Sequence, residues 1–266
     1  MIHLFRKTRQ LLITDKRFKK YLLYAAGEVF LVVVGILLAL QFNNWNIEKE
    51  NAKKEEWYLI NVVEDIVYQK GALKDQIEDY KYSLGVCNTL LKDFKKLKSF
   101  TKIDSLNKKL NDVTFTYNFP NTNNTYQELV SSGQQSLIKD KELSLELIDF
   151  YLFSEDNFIE IKNNNDNIYY KEVYPILNKL SQNNILLEDD ESIIEPINNV
   201  FINKYLKTEL EKPANTLALL NALKTQAMIQ KNHLQITKET LEGGIELIAL
   251  IDKYLGLTYE DVSHYD

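Results

Sequence analysis

Residues 21–40 read YLLYAAGEVFLVVVGILLAL, 20 residues with a single charge, Glu28. A helix of about 20 apolar residues crosses the roughly 30 Å hydrocarbon core of a bilayer, so this run is long enough to span one. Its strictly apolar part, residues 29–40, also has the length of a signal-peptide core. Cleavage needs small residues at the last and third-last positions before the cut, and with Ala39 at the outer position the inner one is Gln41. No better pair follows, and no lipobox cysteine is present. The run therefore predicts an uncleaved signal-anchor helix, a transmembrane segment over residues 21–42.

The flanks predict its orientation. Residues 1–20 carry Arg6, Lys7, Arg9, Lys16, Arg17, Lys19 and Lys20 against Asp15 alone, whereas residues 46–65 carry only Lys49, Lys53 and Lys54 as bases. Basic residues collect on the cytoplasmic side of a span. The expectation is a bacterial inner-membrane protein of single-pass topology: a basic cytoplasmic head (residues 1–20), the anchor, and an extracytoplasmic body (residues 43–266) that is periplasmic in a Gram-negative cell. Tyr21 and Tyr24 at one end and Trp45 at the other suit interfacial aromatic belts. A second span is not expected, since the best candidate, residues 245–257, is short and contains Glu246, Asp252 and Lys253. The chain as a whole has a mean hydropathy of −0.30 and a net charge of −6. With a basic head, the remainder is strongly acidic and would repel phosphate, which argues against nucleic acid as a partner.

Glu28 stands at the head of the apolar run. On a helix at about 100° per residue, Gly35 and Ala39 each lie about 20° from its direction, one on either side. The stretch Gly35-Ile-Leu-Leu-Ala39 is also a small-xxx-small pattern, which lets two helices approach closely. One reading has Glu28 facing a partner helix, from another membrane protein or a second copy, and hydrogen-bonding there. The other has it snorkelling at the cytoplasmic interface or protonated. The sequence leaves both open, and the lipid bilayer is a partner in either case.

The stretch from Lys20-Tyr-Leu-Leu-Tyr-Ala-Ala-Gly-Glu28 through Ala39-Leu-Gln-Phe-Asn-Asn-Trp-Asn46 resembles the signature KYLLYAxGExxLVVxGILxALQxNNWN of an uncharacterised family of single-pass membrane proteins from Bacteroidetes-type bacteria. Ala26, Val29-Phe30, Val34, Leu38 and Phe42 occupy its variable places. Thr125-Tyr-Gln-Glu-Leu-Val-Ser-Ser-Gly133, followed by Ser136-Leu-Ile-Lys-Asp-Lys-Glu-Leu143, resembles a second stretch of that family, with Gln127 and Val130 as departures. The resemblance implies a family whose domain has no known function, and it assigns no residue a role.

Beyond the anchor the chain predicts an all-α fold: a long-helix bundle with a small irregular insertion. Only 8 Gly and 4 Pro punctuate it, and few breakers favour long helices. Leu73, Ile77, Tyr80, Leu84, Cys87, Leu91 and Phe94 step at heptad spacing, with Ile60, Val63 and Val67 upstream and a slip at residues 69–71. This predicts one long helix, continuous with the span, whose seam is a bundle core or, alternatively, a parallel dimer coiled coil. Residues 113–117 alternate like a short strand. Thr125 and Glu128 form a capping-box pattern, with Gly133 closing the helix. Asp140 is placed to cap a helix from Lys141 with Leu143, Leu147, Phe150, Tyr151, Phe158 and Ile161 on its apolar face. Residues 163–167 are a turn or the polar stretch of a longer helix, and Tyr174-Pro175 a kink. The charge run at residues 188–191 lacks calcium-loop spacing. Ser192 and Glu195 repeat the capping box before a helix over 193–210. A last helix over 215–255 bears Leu217, Leu220, Leu223, Met228, Leu234, Leu241, Ile245, Ile248 and Leu255, weakened at Gly243-Gly244.

Nothing marks chemistry. His3, His233 and His264 have no metal-site spacing, and Cys87 is a lone cysteine that cannot form an intrachain disulfide. No P-loop, Rossmann or nucleophile-elbow glycine pattern occurs, so no cofactor, metal or catalytic residue is assigned. The expectation is an anchored helical protein that binds, scaffolds or regulates a partner through Glu28, Gly35 and Ala39 and through its body. The alternative is an anchored enzyme or ligand-binding sensor whose site lies within the helices.

Overall fold

Helix α1, Lys16–Leu97, runs unbroken for 82 residues and carries both the apolar run and the start of the body. The computed structural model describes residues 16–183, 185–186, 193–194 and 197–256. His3, His264, the charge run at 188–191 and the Ser192/Glu195 pattern lie outside them. The chain packs as two units, the first ending at Trp57. Over the described residues that first unit is one helix whose large apolar side chains, from Leu22 to Ile47, are exposed, except for a half-buried Val34. α1 contains no proline and only isolated glycines, each of which costs about 1 kcal/mol and none of which breaks a helix alone. Lys95 and Lys96 in its last turn suit the negative end of the helix dipole.

The second unit starts at Tyr58 and is an all-α bundle. Its elements after α1 are α2 (Leu106–Asp112), α3 (Asn124–Ser131), α4 (Lys141–Asn164), a π-helical stretch (Asn165–Val173), α5 (Tyr174–Leu180), α6 (Val200–Glu211) and α7 (Pro213–Leu255), with short 3-10 turns at Phe100–Lys102 and Gln135–Leu137. Ile185–Leu186 and Ile193–Ile194 form a two-residue antiparallel ladder. α4 and α7 run antiparallel, as Asn157 pairs with Thr240 and Asn164 with His233. One apolar cluster gathers around Leu59, Ile66, Leu129, Leu147, Phe150 and Leu247, and another around Cys87, Leu90, Phe100, Tyr169, Leu177 and Leu223. Each fully buried Leu or Ile contributes about 1.5–3 kcal/mol.

The expected seam on α1 is buried inside its own chain, which makes it bundle core rather than a dimer interface. Leu73, Ile77, Tyr80 and Cys87 point inward, whereas Leu84, Leu91 and Phe94 are only half-buried. Ser83 and Leu90 take the inward places instead; upstream, Val63 is buried as expected, together with Leu59, Val62 and Ile66, whereas Ile60 and Val67 are half-buried. There is no slip near Gly71. Gln69 occupies the inward position there and spends its amide on Pro120 O at 2.7 Å and Ser154 Oγ at 3.3 Å.

Several local expectations are corrected. The segment 113–117 is not a strand: Val113 and Thr114 lie in a turn and a bend, and residues 115–117 have no regular structure. The carbonyls of Val113, Thr114 and Tyr117 are taken by side chains of the helices, which do the work of a partner strand. α3 is not opened by a Thr125/Glu128 capping box: Asn123 is its N-cap residue, without a side-chain bond. Asp65 of α1 accepts from the Thr125 amide at 2.9 Å, and Glu128 accepts from the Tyr58 hydroxyl. A carboxylate from another helix thus does the work of a local cap. The helix expected from residue 193 begins at Val200, capped by Asn199, which accepts from Phe201 N and Ile202 N. On α7, Leu217, Met228 and Ile245 are exposed rather than core.

Other expectations hold. Asp140 accepts from Leu143 N at 2.8 Å. Gly133 has φ +67, with Gly133 N on Val130 O and Gln134 N on Leu129 O, a Schellman closure. The polar stretch 163–167 continues the helix, which widens into the π form ahead of Pro175. Tyr174 N bonds Tyr169 O, five residues back, and the wide turn relieves the clash a proline makes with the preceding turn.

Candidate functional site

The expected membrane-facing residues all lie on the first part of α1. Glu28, Gly35 and Ala39 are exposed, and their spacing sets them on one stripe of the helix. A Cβ built on Gly35 would meet nothing within 4 Å, so the stripe is open to close approach. Tyr24 and Trp45 are exposed, and the Lys49 ammonium lies 5.8 Å from the Trp45 ring, within cation–π range. The side chain of Tyr21 lies outside the described set. Among the described residues, this is the one helix long and apolar enough to cross a membrane.

A second constellation was not anticipated. Between the two apolar clusters the bundle carries a buried polar layer, beside a small third cluster of Leu73, Phe119, Ile161 and Ile236. On α7, Gln226, Gln230, His233, Thr237 and Thr240 are all fully buried, and Tyr80 and Ser83 of α1 face the same interior. The Tyr80 ring meets His233 edge-on at 5.6 Å and Tyr117 at 6.0 Å. Asn164 Nδ2 stands 3.3 Å from His233 Nε2. With that amide donating, the ring proton sits on Nδ1, which has no hydrogen-bond partner among the described residues. The same is true of the Tyr80 hydroxyl, the Ser83 hydroxyl, Gln226 Oε1 and both polar atoms of Gln230. Buried polar groups are normally satisfied, so a cluster left open calls for an explanation.

The irregular segment 113–120 closes this layer. Gln226 donates to Val113 O at 3.2 Å, Tyr169 to Thr114 O, Asn165 to Tyr117 O at 2.9 Å, Gln76 to Asn118 O at 2.6 Å and Gln69 to Pro120 O. Side-chain amides and one phenol from α1, α7 and the π-helical stretch thus replace the strand ladder that the backbone lacks.

The electrostatics keep the layer neutral. Burial lowers the His233 pKa to about 4, because desolvation disfavours the imidazolium. Burial first, then Tyr117 and Asp79, raises that of Tyr80. Burial pushes the Cys87 thiol up to about 12, which makes it inert rather than nucleophilic. Among the described residues no group of three His, Cys, Asp or Glu is arranged to hold a metal ion.

A signal for this layer was present in the sequence. Leu219, Leu223, Gln226, Gln230, His233, Thr237, Thr240, Gly244, Leu247 and Ile251 step alternately by four and three and are all buried. Reading only apolar residues hides a stripe whose middle is polar.

A family model described as a family of unknown function (DUF6090) matches residues 28–185, more than half of the chain. The matched range begins at Glu28 and takes in the strap at 113–120 and α3 to α5. No curated protein and no solved structure matches the chain.

Proposed function

We propose, for a chain that belongs to the DUF6090 family of unknown function, that it is a single-pass anchored protein that binds and regulates a membrane partner. The proposed division is a cytoplasmic basic head at residues 1–20, a signal-anchor helix at 21–42 and a periplasmic body at 43–266, in the inner membrane of a bacterium. The observation that carries this reading is the composition of α1. One uninterrupted helix holds an exposed apolar run and, further on, the innermost face of the bundle. Glu28, Gly35 and Ala39 form the stripe that meets the partner helix, with Tyr21, Tyr24 and Trp45 at the interfaces. A carboxyl group within hydrocarbon is costly, and a hydrogen-bond partner on a facing helix offsets that cost.

The test is purification from native membranes in mild detergent, wild type beside Glu28→Leu, with mass spectrometry of what accompanies each. A specific membrane protein present with the wild type and lost with the variant supports the reading. Wild type and variant emerging alone and equally stable refutes it.

The buried polar layer favours a second reading, a ligand-sensing body. A small polar solute that enters the layer would satisfy Gln230 and His233 Nδ1, and its binding would raise the thermal midpoint of the wild type but not of Gln230→Leu. A solute screen that moves no midpoint sets this reading aside.

A further inference from the structure

A cleft of about 600 Å³ lies between α4 and α7. Its rim holds Glu142, Glu146 and Asp149, spaced by four and three residues on α4, and Glu239 and Glu246, seven apart on α7; among the described residues no lysine or arginine lines it. The two helices run antiparallel, so two acidic rows flank one groove. The floor is apolar, made by Phe150, Phe153, Leu247 and Leu250. Phe153 remains 39% exposed.

The outer surface of α4 continues this apolar character. Leu145, Leu152 and Ile159 repeat every seven residues beside the acidic row and are each about half exposed. The inner face of the same helix is already filled by Leu143, Leu147 and Phe150. A helix with one apolar face packed and a second left in solvent marks an interaction surface.

Charge complementarity selects the occupant. A second copy docking through this face would set acid against acid, which is unfavourable. We propose that the cleft docks a basic amphipathic helix of a partner protein. Its lysines or arginines sit between the two acidic rows, and its apolar side rests on Phe153, Leu247 and Leu250. This rests on the partner-binding reading and adds to it a surface on the body and the chemistry of what binds there.

The test uses the full-length protein in nonionic detergent. The probe is a fluorescent lysine–leucine amphipathic helix, beside a scrambled peptide of the same composition and a glutamate–leucine counterpart. Binding is read by anisotropy against the wild type, the triple variant Glu146→Gln/Asp149→Asn/Glu246→Gln, and Phe153→Ser. The amphipathic cationic peptide binds the wild type in a salt-sensitive way, the triple variant about tenfold or more weakly and Phe153→Ser more weakly than wild type; the other two peptides do not bind. The substituted acids lie on the cleft's open rim, so the triple variant keeps its helical circular dichroism and loses no thermal stability. Equal affinity for wild type and triple variant, or no binding to either, overturns the proposal. Purification of the triple variant from native membranes separates the two ideas. A partner kept by the triple variant but lost with Glu28→Leu removes the cleft and leaves the partner-binding reading standing, whereas no partner with any form removes that reading itself.

Discussion

His233 should make the body sensitive to acid, and the size of the effect follows from its burial. The ring is fully buried against Tyr80 and Asn164, and its pKa in the folded protein is about 4. In the unfolded chain an imidazole titrates near about 6.5. Folding therefore favours the neutral ring, and the folded state resists a proton that the unfolded state accepts. Stability attached to this group is fully present above about pH 6.5, declines as the pH falls below it, and has gone by about pH 4, where the folded form is protonated too. One pH unit of separation corresponds to about 1.4 kcal/mol, so the whole step is about 3 kcal/mol. At about 2–4 °C per kcal/mol for a body of this size, that is roughly 6–12 °C in Tm. The assay is thermal unfolding by far-ultraviolet circular dichroism in nonionic detergent, near neutral pH and just above pH 4, for the wild type and His233→Gln. Carboxylates titrate in both proteins, so their share cancels in the comparison. The wild type should lose several degrees more than the variant on acidification. Equal losses would refute the reasoning, because they would mean that the ring is hydrated or charged in the folded state.

Neighbouring glycines on α7 should respond differently to alanine. Alanine at Gly243 meets Phe150 at an ordinary 3.7 Å and gains helix propensity, so Gly243→Ala should stabilise by up to about 1 kcal/mol, whereas a Cβ at Gly244 lies 3.0 Å from Ile66 Cγ2, and Gly244→Ala should give no gain or a loss of about 1 kcal/mol. Denaturant midpoints of the two variants measure this, and equal stabilisation of both would contradict the packing. Cys87, buried and with its thiol pKa at about 12, should resist an aromatic disulfide reagent in the folded protein at mildly alkaline pH and react at once in denaturant; labelling without unfolding would show that the bundle opens at α1.

Local sequence was enough for the ends of several helices. The Asp140 cap and the Gly133 closure are short-range bonds between residues three to five apart, so the residues that make them are neighbours in the chain. The same logic failed at Thr125, where the donor's partner is Asp65, 60 residues away. It failed again at residues 113–117. Alternation there suggested a ladder, but the acceptors are met by Gln226, Tyr169 and Asn165, which only the fold brings near.

What the sequence determined by itself is the class and the polarity of the chain: an apolar run on a helix, a long seam beyond it, few breakers, and an acidic body. These follow from helical periodicity, from capping and from composition, all of which act within a few residues. Which of two adjacent rows on α1 and α7 turns inward was decided by tertiary structure alone. Ser83 is buried beside a half-buried Leu84, and Gln226 is buried while Met228 is exposed. The rotation of a helix about its axis is set by the surface it packs against, and here that surface includes a polar layer whose groups must face one another. The acid-rimmed cleft arises in the same way, because it exists only where α4 and α7 lie side by side.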